Sequence, residues 1–381
     1  MTKPWPKMKL GDVVTHRKEF ITIDDLATYK RCRVQLHAKG IVLRDVVSGA
    51  EIKTKKQQVC RAGELLVAEI DAKHGGYGMV PDDLQDSVVS SHYFLFTVKD
   101  GIADRGFLGY CLRTPAFRTQ VEAQGSTNYA AIRPGHVLEY EIPLPPLEEQ
   151  RRIVNYLDTL STKITQARTL RHRSTQEAAV FYAQARDRMF SELRADRKPV
   201  GDVFDLVNGR AFKPVEWQDV GRKIIRIQNL KYATVPYNRY AGRVDDKHLV
   251  RFGDVLFAWS GQVVSLGAHI WRDDEAILNQ HIFNVRARTP MLPGFVREGF
   301  NALVDEMKTQ VRGLEMFHIR KQELVRLKFP VPPLDEQRRI VAELDALQAK
   351  VDALKQLQAD TEAELTALQS AALDRAFKGE L

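Results

Sequence analysis

Between Leu147 and Leu193 there is no proline or glycine, and apolar positions recur at alternating intervals of four and three: Ile153, Leu157, Leu160, Ile164 and Ala167, then Ala178, Phe181 and Ala185. A second series runs through Ile340, Leu344, Leu347, Val351, Leu354, Leu365, Leu368 and Ala372. Held over several heptads, this spacing predicts two long helices with a coiled-coil seam rather than the broader stripe of an ordinary surface helix. At 1.5 Å per residue the first helix runs roughly 65–70 Å. Both seams turn polar near their middles, at Arg171 and Ser174 and at Gln358 and Thr361. In an antiparallel pair the two middles meet, and polar seam positions often set register at some loss of stability. These four residues are candidates for such a lock; the alternative is a locally frayed, solvated seam.

Both helices open on the same words. Pro145-Pro146-Leu147-Glu148-Glu149-Gln150-Arg151-Arg152-Ile153-Val154 returns as Pro332-Pro333-Leu334-Asp335-Glu336-Gln337-Arg338-Arg339-Ile340-Val341. Prolines end the preceding segment, and acidic residues fall in the first turn, where the helix dipole favours them. The register persists to Asp187-Arg188-Met189-Phe190 and Asp374-Arg375-Ala376-Phe377. Upstream the match loosens: Leu10-Gly11-Asp12-Val13 against Val200-Gly201-Asp202-Val203, and Ile132-Arg133 against Ile319-Arg320. Just before each helix, Leu138–Leu144 and Val325–Val331 alternate as strands do. The chain therefore reads as a pseudo-two-fold internal repeat of α+β class. Two β-rich domains, 1–145 and 195–331, alternate with two helices, 146–194 and 332–381, that form an antiparallel coiled coil. Similar scaffolds with unlike loops suggest two related tasks of different specificity; the plain alternative is a duplicated scaffold whose loops drifted.

Charge supports the pairing. Residues 146–194 hold nine Lys and Arg against six Asp and Glu, and residues 332–381 hold six against ten, so the helices carry opposite net charge. The whole chain is +8, and the excess lies mainly in the two domains, where a nucleic-acid contact would be made. Cys32, Cys60 and Cys111 are far apart, with neither a disulfide framework nor zinc spacing, which fits a reducing cytoplasm. No run of 18 apolar residues occurs, so the expectation is a protein that is neither exported nor membrane-embedded.

The two Pro-Leu-Pro-Pro-Leu-(Glu/Asp)-Glu-Gln-like stretches, Pro143 to Gln150 and Pro330 to Gln337 with Val331 in place of the first leucine, resemble the helix openings of type I restriction-modification specificity subunits. The resemblance covers essentially the whole chain. It implies two target-recognition domains, each reading one half of a bipartite site in double-stranded DNA, with the helices as a ruler between the halves. It further implies two methyltransferase subunits docked on the helices, and restriction-translocase subunits joining the complex. Leu147, Gln150, Ile153, Leu157, Leu334, Gln337, Ile340 and Leu344 are then the candidates for the helix seam and subunit docking. No cofactor is expected on this chain; S-adenosylmethionine, ATP and Mg are expected on the partner subunits.

DNA readout needs cations for phosphates and Arg, Lys, Asn, Gln, Ser or Thr for base edges. In the first domain the candidates are the basic-polar run Lys53, Lys55, Lys56 and Gln57, and the glycine-rich stretch carrying Lys73, His74 and Tyr77, read as a flexible loop. Ser126, Thr127 and Asn128 join them, in a turn similar to the Gly-Ser-Thr turn of the family. In the second domain they are Arg210 and Lys213, and Ser260 and Gln262. Any of these loops could equally be a plain solvated turn. An amino-methyltransferase needs Asn/Asp-Pro-Pro-aromatic, a restriction nuclease Pro-Asp followed by Glu-x-Lys, and an ATPase a phosphate loop; none is present, nor is His-Glu-x-x-His. The competing readings are a coiled-coil scaffold that binds only protein and an unusual DNA-modifying enzyme.

Overall fold

The computed structural model describes residues 5–123, 131–232, 234–262, 265–310 and 316–381. The chain forms two compact units, Met1–Thr169 with Asp360–Leu381, and Leu170–Ala359. Each unit joins one β-rich domain to parts of both long helices, Leu147–Glu192 and Leu334–Lys378. Among the described residues no helix is long and apolar enough to cross a membrane.

In the first unit the domain's two ends pair, Lys7–Lys9 antiparallel to Glu141–Pro143, with Lys7 opposite Pro143. A four-stranded antiparallel sheet follows in the order Val14–Arg17, Tyr93–Val98, Leu65–Ala68, Tyr77–Met79. A five-stranded sheet runs Phe20–Thr22, Lys56–Val59, Val88–Val89, Thr28–Gln35, Gly40–Ser48, with Val88–Val89 parallel to Thr28–Gln35. Leu10, Phe96, Phe107 and Ile142 share one core with Ile153, Leu157, Ala372 and Ala376 of the two long helices.

The second unit repeats the plan. Arg197–Pro199 pairs with Lys328–Pro330, Arg197 opposite Pro330. The four-stranded sheet returns as Phe204–Asn208, Ile282–Ala287, Val255–Ala258, Gly267–Ile270. The remaining sheets differ: Asn238–Tyr240, Arg222–Ile225, Ala276–Leu278 and Leu249–Val250 form one, and Ser260–Gln262 pairs with Met316–His318. The Gly-Asp word has the same physical basis in both copies. A Cβ on Gly11 would lie 3.1 Å from the Leu138 carbonyl oxygen, and one on Gly201 would lie 3.1 Å from the Val325 Cβ. Glycine lets each short opening helix press onto the segment before the long helix. That segment is less extended than its alternation suggests. Pro134–Glu139 and Lys321–Leu324 are helical, and the strands shrink to Glu141–Pro143 and Lys328–Pro330.

The long helices run antiparallel within each unit. In the first, Arg168 pairs with Glu362 and donates to Thr366 at 3.2 Å, while Leu157 shares its core with Ala372 and Ala376. In the second, the Arg171 guanidinium donates to the Gln358 carbonyl, and Phe190 shares its core with Ile340 and Leu344. The polar middle brings in Thr175, whose hydroxyl pairs with the Gln358 side chain, where the periodicity pointed to Ser174. Two seam assignments are corrected: Phe181 and Leu368 are exposed. Past Ala178 the inward positions of the first helix become Tyr182, Arg186 and Phe190. A helix at 3.6 residues per turn drifts about 20° per heptad from a 3.5 repeat, so a strict four-three count walks off the contact line.

Candidate nucleic-acid interface

Each domain is seated on the helices by the same device. Gln150 is fully buried. Its Oε1 accepts from the Asp104 backbone N–H at 2.8 Å, and its Nε2 donates to the Pro145 carbonyl at 2.8 Å and the Ile102 carbonyl at 3.3 Å. Gln337, also buried, accepts from the Leu292 N–H at 2.9 Å and donates to the Pro332 carbonyl at 2.9 Å. One turn on, a Cβ on Gly106 would meet Val154 Cγ1 at 3.0 Å, and one on Gly294 would meet Val341 Cγ1 at 3.0 Å. Phe107 then packs on Phe377 and Phe295 on Phe190, both with centroids 5.0 Å apart. The Pro-Pro-Leu-acid-Glu-Gln word is therefore a clamp that satisfies buried backbone groups at the joint between domain and helix.

This clamp divides the candidate seam residues. Gln150, Ile153, Leu157, Gln337, Ile340 and Leu344 are buried inside their own units and leave no surface for another subunit; Leu147 is half-buried and Leu334 exposed. Besides Leu334, the large apolar side chains that face solvent along the helices of the second unit include Leu170, Val180, Phe181 and Leu357. Leu170 and Phe181 stand three turns apart on one helix face.

In the first unit the basic-polar run only partly faces outward. Lys55 pairs with Asp25 and donates to the Gly49 carbonyl at 2.8 Å. Gln57 is buried and donates to the Thr54 carbonyl at 2.6 Å, and the Lys56 ammonium sits 4.9 Å above the Phe20 ring. Lys53 is exposed and lines a cavity of about 350 Å³ with Arg31, Arg33, Arg44, Gln57 and Tyr93. Arg31 holds Asp45 through two bonds of 2.7 and 2.8 Å, which keeps that carboxyl below its ordinary range. Arg33 meets no acid among the described residues. Sequence reading missed these arginines. Their signal was alternation: Arg31 and Arg33 share one strand face, while Cys32 and Val34 are buried on the other.

The glycine-rich stretch is not the flexible loop it suggested. The His37 N–H donates to the His74 carbonyl at 2.6 Å and the Ala38 N–H to the Gly75 carbonyl at 2.9 Å. A Cβ on Gly75 would come within 2.5 Å of the Ala38 nitrogen. Tyr77 is buried edge-on against Phe117 at 5.5 Å, so it cannot touch DNA from there; Lys73 is half-buried and His74 exposed. Ser126, Thr127 and Asn128 lie outside the described residues.

In the second unit Arg210 acts as a staple. Its guanidinium lies 4.5 Å from the Phe212 centroid and 4.8 Å from that of Tyr240, and it pairs with Glu216. Lys213 is exposed beside it, with its backbone N–H on Glu216 at 2.8 Å. Ser260 sits in a strand opposite His318; Gln262 ends that strand, and its side chain lies outside the described residues. Around Arg210 the structure gathers cations over rings that the sequence reading did not single out: Arg226 over Trp217 at 5.5 Å, Lys223 over Tyr237 at 5.4 Å and Lys231 over Tyr232 at 5.2 Å. Cations held over aromatic rings present fixed positive charge, which suits contact with phosphates. The two units thus carry unlike basic surfaces on like scaffolds.

The family model for the type I restriction modification DNA specificity domain matches residues 2–171 and 196–363. The EcoKI specificity subunit of Escherichia coli strain K12 is 24% identical over 310 residues, 72% of this chain and 65% of that protein. The Escherichia coli EcoBI specificity subunit is 30% identical over 171 residues, 42% of this chain and 33% of that protein. The chain thus spans less than two thirds of either. The Thermoanaerobacter tengcongensis HsdS crystal structure superposes with a TM-score of 0.60 at 25% identity, covering 100% of this chain and 98% of that one. A chain from a structural study of type I R-M complex assembly and conformational transition gives 0.72, also at 25%, covering 100% and 99%. The chain, an α+β tandem repeat, belongs to the family of type I restriction-modification DNA specificity domains.

Proposed function

We propose that this chain is the non-catalytic, DNA-reading subunit of a type I restriction-modification complex. Each recognition domain reads one half of a bipartite site in double-stranded DNA, and the long helices set the interval between halves. The observation that carries this reading is the pairing of an identical seat with a different face. The clamp through Gln150 and Gln337 repeats almost atom for atom, while Arg31, Arg33 and Lys53 in one unit give way to cations stacked on Trp217, Tyr237 and Tyr232 in the other. A duplicated scaffold with unlike basic faces suits two different half-sites.

On this reading two methyltransferase subunits dock on the helices, and restriction-translocase subunits join through them; S-adenosylmethionine, ATP and Mg belong to those partners. The exposed apolar side chains Leu170 and Phe181 on one helix and Leu357 on the other support docking, since such side chains on a helix surface gain from being covered. The test is the affinity of the chain, co-expressed with its methyltransferase, for duplex DNA across a salt series. Log affinity is expected to fall linearly with log salt, and Phe181→Glu with Leu357→Glu to release the methyltransferase without lowering the thermal midpoint. Binding that ignores salt would contradict DNA reading and favour a protein-only scaffold.

A further inference from the structure

Between Lys213 and Val220 three apolar side chains face solvent: Val215, 87% exposed, and Trp217 and Val220. A single exposed valine needs no explanation, but this loop is held so that its tip cannot fold away. Pro214–Glu216 forms one turn, closed by the Trp217 N–H on the Pro214 carbonyl at 3.1 Å. The Glu216 carboxylate takes the Lys213 N–H on one side and Arg210 on the other, and Arg210 is itself sandwiched between Phe212 and Tyr240. Downstream, the Gln218 N–H donates to the Arg239 carbonyl at 3.0 Å, and its side chain accepts from the Ala241 N–H at 2.9 Å. Both ends are pinned and cations flank the loop, with Lys213 exposed and Arg226 over Trp217.

The chemistry of base edges says what such a tip can read. The grooves of duplex DNA present donors and acceptors, and one apolar group, the C5 methyl of thymine in the major groove. A proline-valine tip has no side-chain donor or acceptor to offer. We propose that Val215 reads a thymine methyl group in the half-site recognised by the second domain; the inference rests on the DNA-reading role proposed above.

Deoxyuridine tests it, because it removes that methyl and leaves the pairing edge intact. With the full chain in its methyltransferase complex, each thymine of the site is replaced in turn and affinity measured for wild type and Val215→Ala. At one thymine the wild-type complex is expected to lose about fourfold, the factor for one buried methyl group, and the variant to bind thymine and deoxyuridine equally. Salt-dependent binding with no thymine at which the variant abolishes the discrimination would overturn the loop assignment and leave DNA reading intact. Absence of salt-dependent binding in the wild-type complex would overturn both.

Discussion

The ring of Phe107 packs 5.0 Å from the ring of Phe377, with the planes inclined by 32°. The first domain thereby rests on the final turns of the last helix, while Gly106 of the same segment rests on Val154 of the first helix. Phe295 and Phe190 repeat the contact in the second unit at 5.0 Å and 30°. Each domain is thus seated on the start of its own helix and the end of the other.

Removing these rings should loosen the seats unequally. Phe190 is buried, and truncation to alanine leaves a cavity and loses ring contacts, a loss of about 3 kcal/mol. Phe377 is only half-buried, so Phe377→Ala should be milder. Urea midpoints of the two variants check the order; equal losses would argue against the packing described.

The two glutamines should behave as twins. Gln150→Ala strands the Asp104 N–H and the Pro145 carbonyl, and Gln337→Ala strands the Leu292 N–H and the Pro332 carbonyl. Each buried group left without a partner costs about 1–3 kcal/mol. Hydrogen exchange at the Asp104 and Leu292 amides should accelerate in the matching variant alone.

Much of this was legible along the chain, and what was not has a common cause. The long helices show because buried apolar positions recur near helical spacing over many turns. The repeat shows because the clamp needs the same glutamine and the same phenylalanine in both copies. The sheets do not: Val88–Val89 contributes two residues to a five-stranded sheet whose other strands come from elsewhere in the domain. Gly75 looks like a hinge until Ala38 is placed against it, and Arg210 looks like a free cation until Tyr240 and Glu216 close around it. Which loop side chains stay free to face outward depends on such distant partners, and local composition does not report them.

Acid should weaken the protein before its carboxylates titrate. His16, packed on Phe94 and Phe96, is held below its ordinary pKa by burial and by Lys18, and His269 by burial and by Arg297. The unfolded chain takes up these protons near pH 6.5, whereas the folded chain takes them up only at lower pH. Stability should therefore be level above about pH 7 and fall as pH drops through 6. Thermal midpoints at pH 8 and 5.5 check this, and His269→Gln should reduce the fall.

The cations should separate into readers and staples. Arg33 and Lys53 are without an acid partner among the described residues, so Arg33→Ala and Lys53→Ala should each weaken DNA binding and lower the salt slope by about one. Arg210 is engaged by Glu216, so Arg210→Ala should lower affinity by loosening the loop and leave the slope unchanged. A salt titration of the three variants distinguishes these outcomes.

The most direct measurement is methylation-sensitive long-read sequencing of a host that carries this chain with its methyltransferase. Two short half-sites separated by an unspecified gap are expected. Exchanging residues 20–60, which hold Arg31, Arg33 and Lys53, for those of a relative of different specificity should change one half and preserve the other. A single contiguous motif, or no methylation in a host where the complex assembles, would contradict the account.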